Sequence, residues 1–344
     1  MLVLLYVVFY LFALAIDQST RKTRENVLVI ACIVLALLAG MRDVHRWPDT
    51  IVYVSSFVDN TPSLFNLTPE SKPWGYSEMG FYYLGCIVKV FTENSTLYLI
   101  FISALSFLFL YKDFKKYCIY PLFGLCAYLA RFYTGRNLIQ IRAGLSYAII
   151  LWAVQYIAKR DWKRYFLWVF IAYLFHQSAL IAVPLYFLCM IKFRKYHIVI
   201  GIVVAFIIAG FFSGTVQSLV SDTSRDLNVG TTYLNDYYMR EQGLANPMIY
   251  FQTVILLLYT YGEKALRRTT PNYDVIRTAY FYSTFILISL SVYTTLSGRT
   301  SSMFATLEMV IIPSLINAFA RNSRWLAYSG IGVVLSVFFY LNFR

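Results

Sequence analysis

The sequence predicts an all-α, polytopic integral membrane protein: about twelve transmembrane helices plus a re-entrant or interfacial helix near 75–94. Three observations predict it. Of 344 residues, 59% are hydrophobic and 14% charged, where an ordinary soluble domain is about 25% charged. Twelve apolar segments approach the roughly 20 residues that a helix needs to cross a bilayer. Lys and Arg gather in alternate loops, as they do when those loops face the cytoplasm.

The elements follow in order. The first, 1–16, is apolar with no basic stretch ahead of it, so it reads as a span rather than a cleaved signal. Further spans are expected at 26–41, 95–111, 117–132, 137–158, 162–175, 178–191, 196–213, 247–262, 276–297, 301–320 and 325–342. The stretch 75–94 is apolar but carries Glu78 and Lys89. If it crossed, the clusters Lys112, Lys115, Lys116 and Lys159, Arg160, Lys163, Arg164 would face outward, against the charge rule. It is therefore expected to return to the side it came from. Both termini then face outward, and 1–344 reads as a single transmembrane domain with outer loops at about 42–76 and 214–246. A net charge of +13 would suggest nucleic acid in a soluble chain. Here topology accounts for most of it, and no nucleic-acid partner is expected. Five cysteines, all in apolar stretches and without a CxxC pair, read as small buried hydrophobes.

The polar residues that ask for an explanation sit on the outer side. Arg42, Asp43, His45, Arg46 and Asp49 crowd one helix end beside Trp47 and Pro48. Interfacial anchoring explains any one of them. The set reads as a shaped polar pocket, and guanidinium forks suit phosphate oxygens. Glu78 needs a partner on an apolar element: a structural ion pair with an arginine, a general base raised by burial, or both. Arg136 and Gln140 align at i,i+4. Arg142 lies inside the span that follows, where a guanidinium costs at least ~2–3 kcal/mol unless it faces protein or water. His176 ends an apolar run at the outer mouth, as a hydrogen-bonded junction residue or a catalyst. Arg299 marks another outer turn, and Arg240 lies in a Tyr-rich loop suited to stacking on sugars. Together these arginines form a large anion site. A lipid-linked diphosphate fits it, with its tail among the helices and its head group in the outer loops.

At this point the chain resembles a family. GMR followed by PDT and Tyr53, Glu78–Phe81, RNLIQIRAGLSYAI from Arg136 and HQSALIAVPLYF from His176 resemble the EpsG family of bacterial Wzy-type polysaccharide polymerases. The resemblance implies a GT-C-like glycosyltransferase of the bacterial inner membrane with its active site on the periplasmic or outer face. It implies undecaprenyl-diphosphate-linked repeat units as substrate, with lipid diphosphate as leaving group, and a Wzz-type chain-length co-polymerase as partner. Asp49, Glu78 and His176 are the candidate bases. Arg42, Arg46, Tyr53, Arg136, Gln140, Arg142, Arg240 and Arg299 are the candidate contacts to diphosphate and sugar. No cofactor is expected, and the lack of carboxylate-rich ligand sets predicts a metal-independent reaction. The rival readings are an O-antigen ligase-like glycosyltransferase, a lipid-linked oligosaccharide flippase and a membrane acyltransferase. Polar residues gathered at one face, rather than along the membrane depth, favour the enzyme over the flippase. An acyltransferase would want its His deep in the membrane, whereas His176 maps to the outer side.

Overall fold

The computed structural model describes residues 2–73, 78–226 and 242–344. Among them there is no strand. The first five helices are α1 (Leu2–Asp17), α2 (Arg21–Gly40), α3 (Thr50–Asn60), α4 (Met79–Lys89) and α5 (Ser95–Tyr117). Then come α6 (Pro121–Arg131), α7 (Ile141–Ala158), α8 (Trp162–Phe175), α9 (Val183–Leu188), α10 (Lys195–Phe211) and α11 (Ser213–Asp226). The last six are α12 (Pro247–Tyr261), α13 (Glu263–Thr269), α14 (Tyr273–Ser289), α15 (Thr294–Ala305), α16 (Glu308–Leu315) and α17 (Arg324–Phe343).

All twelve expected segments are largely helical. Among the described residues four helices are long and apolar enough to cross a membrane: α2, α5, α7 and Arg321–Phe343, which contains α17. Two bent pairs raise the number to six. These are α10 with the first part of α11, bent by 86°, and α15 with Glu308–Ala318, bent by 60°. Shorter apolar helices, α1 and α12 among them, complete the set. This is a polytopic, all-helical membrane protein.

Local chemistry explains the joints. Pro121 opens α6, and Asp17 at the end of α1 accepts the N–H groups of Leu122 and Phe123 at 3.2 and 2.8 Å. That satisfies donors that a helix start otherwise leaves orphaned. α2 and α5 run antiparallel, since Gly40 lies against Ile100 at one end and Glu25 pairs with Lys115 at 2.9 Å at the other. The chain between them therefore leaves and returns at the same end. α4 has eleven residues and rises roughly 16 Å, about half a hydrocarbon core. Both facts agree with a segment that does not cross. α7 runs through the centre, buried everywhere except Trp152, Tyr156 and Ala158. Its first turn carries Arg142.

Candidate active site

α6 does not lead straight into α7. Between them Thr134–Ile139 forms a π-helical turn, closed by the Gln140 N–H donating to the Gly135 carbonyl at 2.8 Å. Such turns recur at functional sites because they re-aim side chains. This one lies flush on α7 because Gly144 has no side chain: a Cβ there would sit 2.2 Å from the Arg136 carbonyl oxygen. The guanidinium of Arg136 is thereby held 4.3 Å over the ring of Tyr147. It donates to Gln140 Oε1 at 3.1 Å and to the hydroxyl of Ser302 on α15.

α4 delivers the carboxylate. Gly80 packs against Leu174 of α8, where a Cβ would meet the Leu174 carbonyl oxygen at 2.7 Å. This close approach puts Glu78, just ahead of α4, beside the first turn of α7. Glu78 pairs with Arg142 and accepts the Gln177 N–H at 3.4 Å. The Arg142 guanidinium also stands 5.8 Å over the ring of Tyr53. Burial pushes the Glu78 carboxyl above the usual range, against the opposing charge of Arg142.

His176 lies at the break between α8 and the 3₁₀ turn Gln177–Ala182. Its Nδ1 accepts the Ser178 N–H at 3.2 Å and lies 2.5 Å from the Ser178 hydroxyl. That hydroxyl reaches Tyr147 Oη at 3.0 Å, and Tyr147 donates to the Arg299 carbonyl at 3.2 Å. Burial first, then the charges of Arg142, Arg136 and Arg299, push the imidazole down to about 3.

The structure thus gathers Tyr53, Glu78, Arg136, Gln140, Arg142, His176 and Arg299 at one end of the helices. Other expected site residues stand differently. Arg42 is buried and acts as a brace, donating to Ala39 and Asn137 carbonyls at 2.7 and 3.5 Å and to Thr50 Oγ1 at 3.0 Å. Its Nη2 is buried without a hydrogen-bond partner. Arg46 is exposed and stacks on Trp47 at 5.2 Å, as an interfacial anchor does. Asp49 begins α3 in the left-handed region, φ 65°, and its half-buried carboxylate makes no cap bond. Arg240 lies outside the described residues. Among the described residues no group of three or more His, Cys, Asp or Glu gathers to hold a metal.

Sequence reasoning missed Tyr147, Ser178 and Ser302. Ser178 carried a signal, since a residue two beyond a break is placed to give its N–H to the breaking side chain. Tyr147 was one of thirty tyrosines. A cavity of about 370 Å³, lined by Ile157, Arg160, Arg267 and Asp274 among others, sits at the opposite end of α7. Arg267 is already paired there with Glu263 and Asp274 at 2.6 and 2.5 Å, and none of the gathered residues lines that cavity.

The molecule is therefore a polytopic helical membrane protein with a guanidinium cluster, one carboxylate and one imidazole at one end. The chain belongs to the EpsG family, whose model matches residues 25–344, as the motifs from Gly40 to Phe187 suggested. Over 325 residues it is 24% identical to the amylovoran biosynthesis protein AmsC of Erwinia amylovora, covering 90% of this chain and 85% of that protein. No solved structure matches it.

Proposed function

We propose that this protein is a polysaccharide polymerase that joins lipid-linked repeat units at the guanidinium cluster. Family membership and the relative's role in amylovoran biosynthesis support the class. The observation that carries the reading is the gathering of three arginines near His176: Arg136 lies over the ring of Tyr147, that ring stands edge-on to His176 and its hydroxyl donates to the Arg299 carbonyl, and Arg142 pairs with Glu78.

The substrate is an undecaprenyl-diphosphate-linked oligosaccharide, and the reaction is glycosyl transfer with lipid diphosphate as leaving group. Departure of the diphosphate builds negative charge on its bridging oxygen. Guanidiniums already placed around the bound diphosphate in a partly dry site stabilise such charge without reorganising during the reaction. Arg142 first holds Glu78. When the diphosphate enters, Arg142 turns toward the phosphate oxygens and releases the carboxylate. Glu78 then takes the proton of the acceptor hydroxyl, whose oxygen forms the new bond to the anomeric carbon. The bond from that carbon to the phosphate oxygen breaks, and its electron pair leaves with the diphosphate. Arg136 and Arg299 keep the anion placed. The same reading puts a GT-C-like enzyme in the bacterial inner membrane with this end facing the periplasm, independent of metal and working beside a Wzz-type co-polymerase. The sidedness rests on the Lys and Arg clusters at the other ends of α5 and α7.

Deleting the gene in its native host tests the reading. The expected result is loss of the long polysaccharide ladder on a gel, with single-repeat glycolipid still made. Loss of the single-repeat product as well would sink the polymerase and favour a flippase or ligase.

The π-turn supplies a second test. Gly144→Ala forces the Arg136 backbone away from α7 and moves its guanidinium off Tyr147 and Ser302. A displacement near 1 Å is expected to slow polymerisation ~10²-fold, measured per inserted molecule. An unchanged rate would show that Arg136 needs no such placement.

A further inference from the structure

Arg136 comes from the π-turn and Arg299 from α15. A diphosphate held by both needs them at a fixed spacing. One residue, which belongs to neither element, touches both. Tyr147 lies in α7 and is 2% exposed. Its ring carries the Arg136 guanidinium at 4.3 Å. Its hydroxyl donates to the Arg299 carbonyl at 3.2 Å. The Ser302 hydroxyl donates to the same carbonyl at 2.8 Å and accepts the Arg136 guanidinium. Tyr147, Arg136, Ser302 and Arg299 thus close a circuit. In a closed circuit no member shifts without straining two contacts, so the spacing is fixed more firmly than by an open chain of bonds.

A third element locks Tyr147 itself. The Ser178 hydroxyl donates to Tyr147 Oη at 3.0 Å, so this buried phenol both gives and receives a hydrogen bond. Its ring stands edge-on to His176, with centroids 6.3 Å apart at 77°. The residue before Ser178, Gln177, gives its N–H to Glu78, the partner of Arg142. The 3₁₀ turn therefore grips Tyr147 on one side and the Glu78–Arg142 pair on the other.

We propose that Tyr147 is the positioning residue of this site: its ring places Arg136 and its hydroxyl places the backbone of Arg299, so that both guanidiniums meet one diphosphate. The proposal rests on the polymerase reading for the identity of that anion. Tyr147 makes no bond and moves no proton in the reaction; buried, it acts through its neighbours. Its two arms separate by substitution. Tyr147→Phe keeps a ring of similar affinity for a cation and removes the hydroxyl. Tyr147→Leu removes both.

The test uses the full-length protein in nanodiscs, with two readouts taken per folded molecule. One is turnover of lipid-linked repeat units. The other is the affinity for inorganic pyrophosphate, by calorimetry. Tyr147→Phe is expected to lower kcat/KM roughly tenfold, one hydrogen bond's share. Tyr147→Leu should lower it ~10²-fold, as a misplacement near 1 Å does. Pyrophosphate affinity should fall in the same order, which a residue that only fills the core would not cause in the molecules that fold. The decisive step is a cycle with Arg136→Ala. On that background the ring has no cation to place, so Tyr147→Phe and Tyr147→Leu should become equal in both readouts.

A difference between them that persists undiminished without Arg136 would overturn the proposal, because the ring would then act by packing alone. So would equal impairment of the two variants in the presence of Arg136, or a native rate in Tyr147→Phe. The last variant is isosteric, so the hydroxyl arm is tested even where Tyr147→Leu inserts poorly. If the native protein joins no repeat units, the polymerase reading fails, and the pyrophosphate cycle still decides the positioning role. A native protein that neither joins repeat units nor binds pyrophosphate overturns both.

Discussion

Replacing Arg142 with alanine leaves a protein that inserts normally and joins no detectable repeat units. Arg142 stands at the first turn of α7, paired with Glu78 and stacked above Tyr53. In the proposed reaction it meets the leaving diphosphate, so alanine removes charge stabilisation where charge develops. One such donor is commonly worth ~10²–10³ in rate, and a guanidinium facing a dianion belongs at the upper end. Alanine also strands Glu78, whose carboxyl burial already pushes upward and which then loses its nearest cation. Two further variants separate these effects. Arg142→Lys keeps the charge but loses the fork, so its rate should fall between native and alanine. Arg142→Ala combined with Glu78→Gln removes the stranded carboxylate; it should regain thermal stability and stay inactive. The readouts are ladder length on a gel and tagged protein in the membrane fraction. Full-length polysaccharide from inserted Arg142→Ala would remove Arg142 from the site.

What could be read in the sequence divides along physical lines. α2, α5 and α17 are long apolar runs, and a run of that length has few alternatives to a helix in lipid. The return of the chain between α2 and α5 to the end it left was legible through charge, because a crossing by 75–94 would have put two basic clusters on the wrong side. The entry to α7 was not legible. Residues 137–158 read as one unbroken span, with Arg142 a turn and a half inside it on the outer side. The structure instead interposes the π-turn and begins α7 at Ile141, so Arg142 stands in the first turn of the helix. Nothing in local propensity marks a π-turn; its cause is Gly144, which lets the turn fold back on the next helix. Arg136 and Gln140 do meet as their i,i+4 spacing suggested, but across that turn. The bend between α15 and α16 was equally hidden, since 301–320 is a continuous run. For Glu78 the sequence left an ion pair and a base open. The pair with Arg142 settles one half of that question, and the base remains the proposal above. Partners far apart in the chain, such as Arg299 with Tyr147, are a matter of tertiary packing that no spacing rule reaches.

The same long-range logic sets the largest effect on stability. Glu308 opens α16 fully buried, bonded to Arg131 of α6 at 2.8 Å and to the Tyr280 hydroxyl of α14 at 3.1 Å. Arg131 in turn lies among the rings of Phe338, Phe251 and Phe132, at 4.5, 5.1 and 5.2 Å. One ion pair therefore joins four helices, α6, α12, α14 and α17, to the bend at α16. Truncating one partner leaves the other charge buried and alone, which costs roughly 3–5 kcal/mol. Arg131→Ala and Glu308→Ala are each expected to lower the melting temperature in detergent by several degrees and to reduce the inserted amount. The two losses should not add. With both charges gone no desolvated ion remains, and an apolar pair of similar volume is often as stable as the ion pair it replaces. Arg131→Leu with Glu308→Leu, and Tyr280→Phe to remove the hydroxyl left behind, should therefore be more stable than either single alanine variant. The surviving protein should also polymerise, because neither residue belongs to the cluster around His176. A triple variant less stable than both single variants would mean that the pair contributes net stability of its own. In that event α16 is anchored by charge, and the bend, with the Ser302 and Arg299 contacts that α15 carries into the site, depends on Glu308.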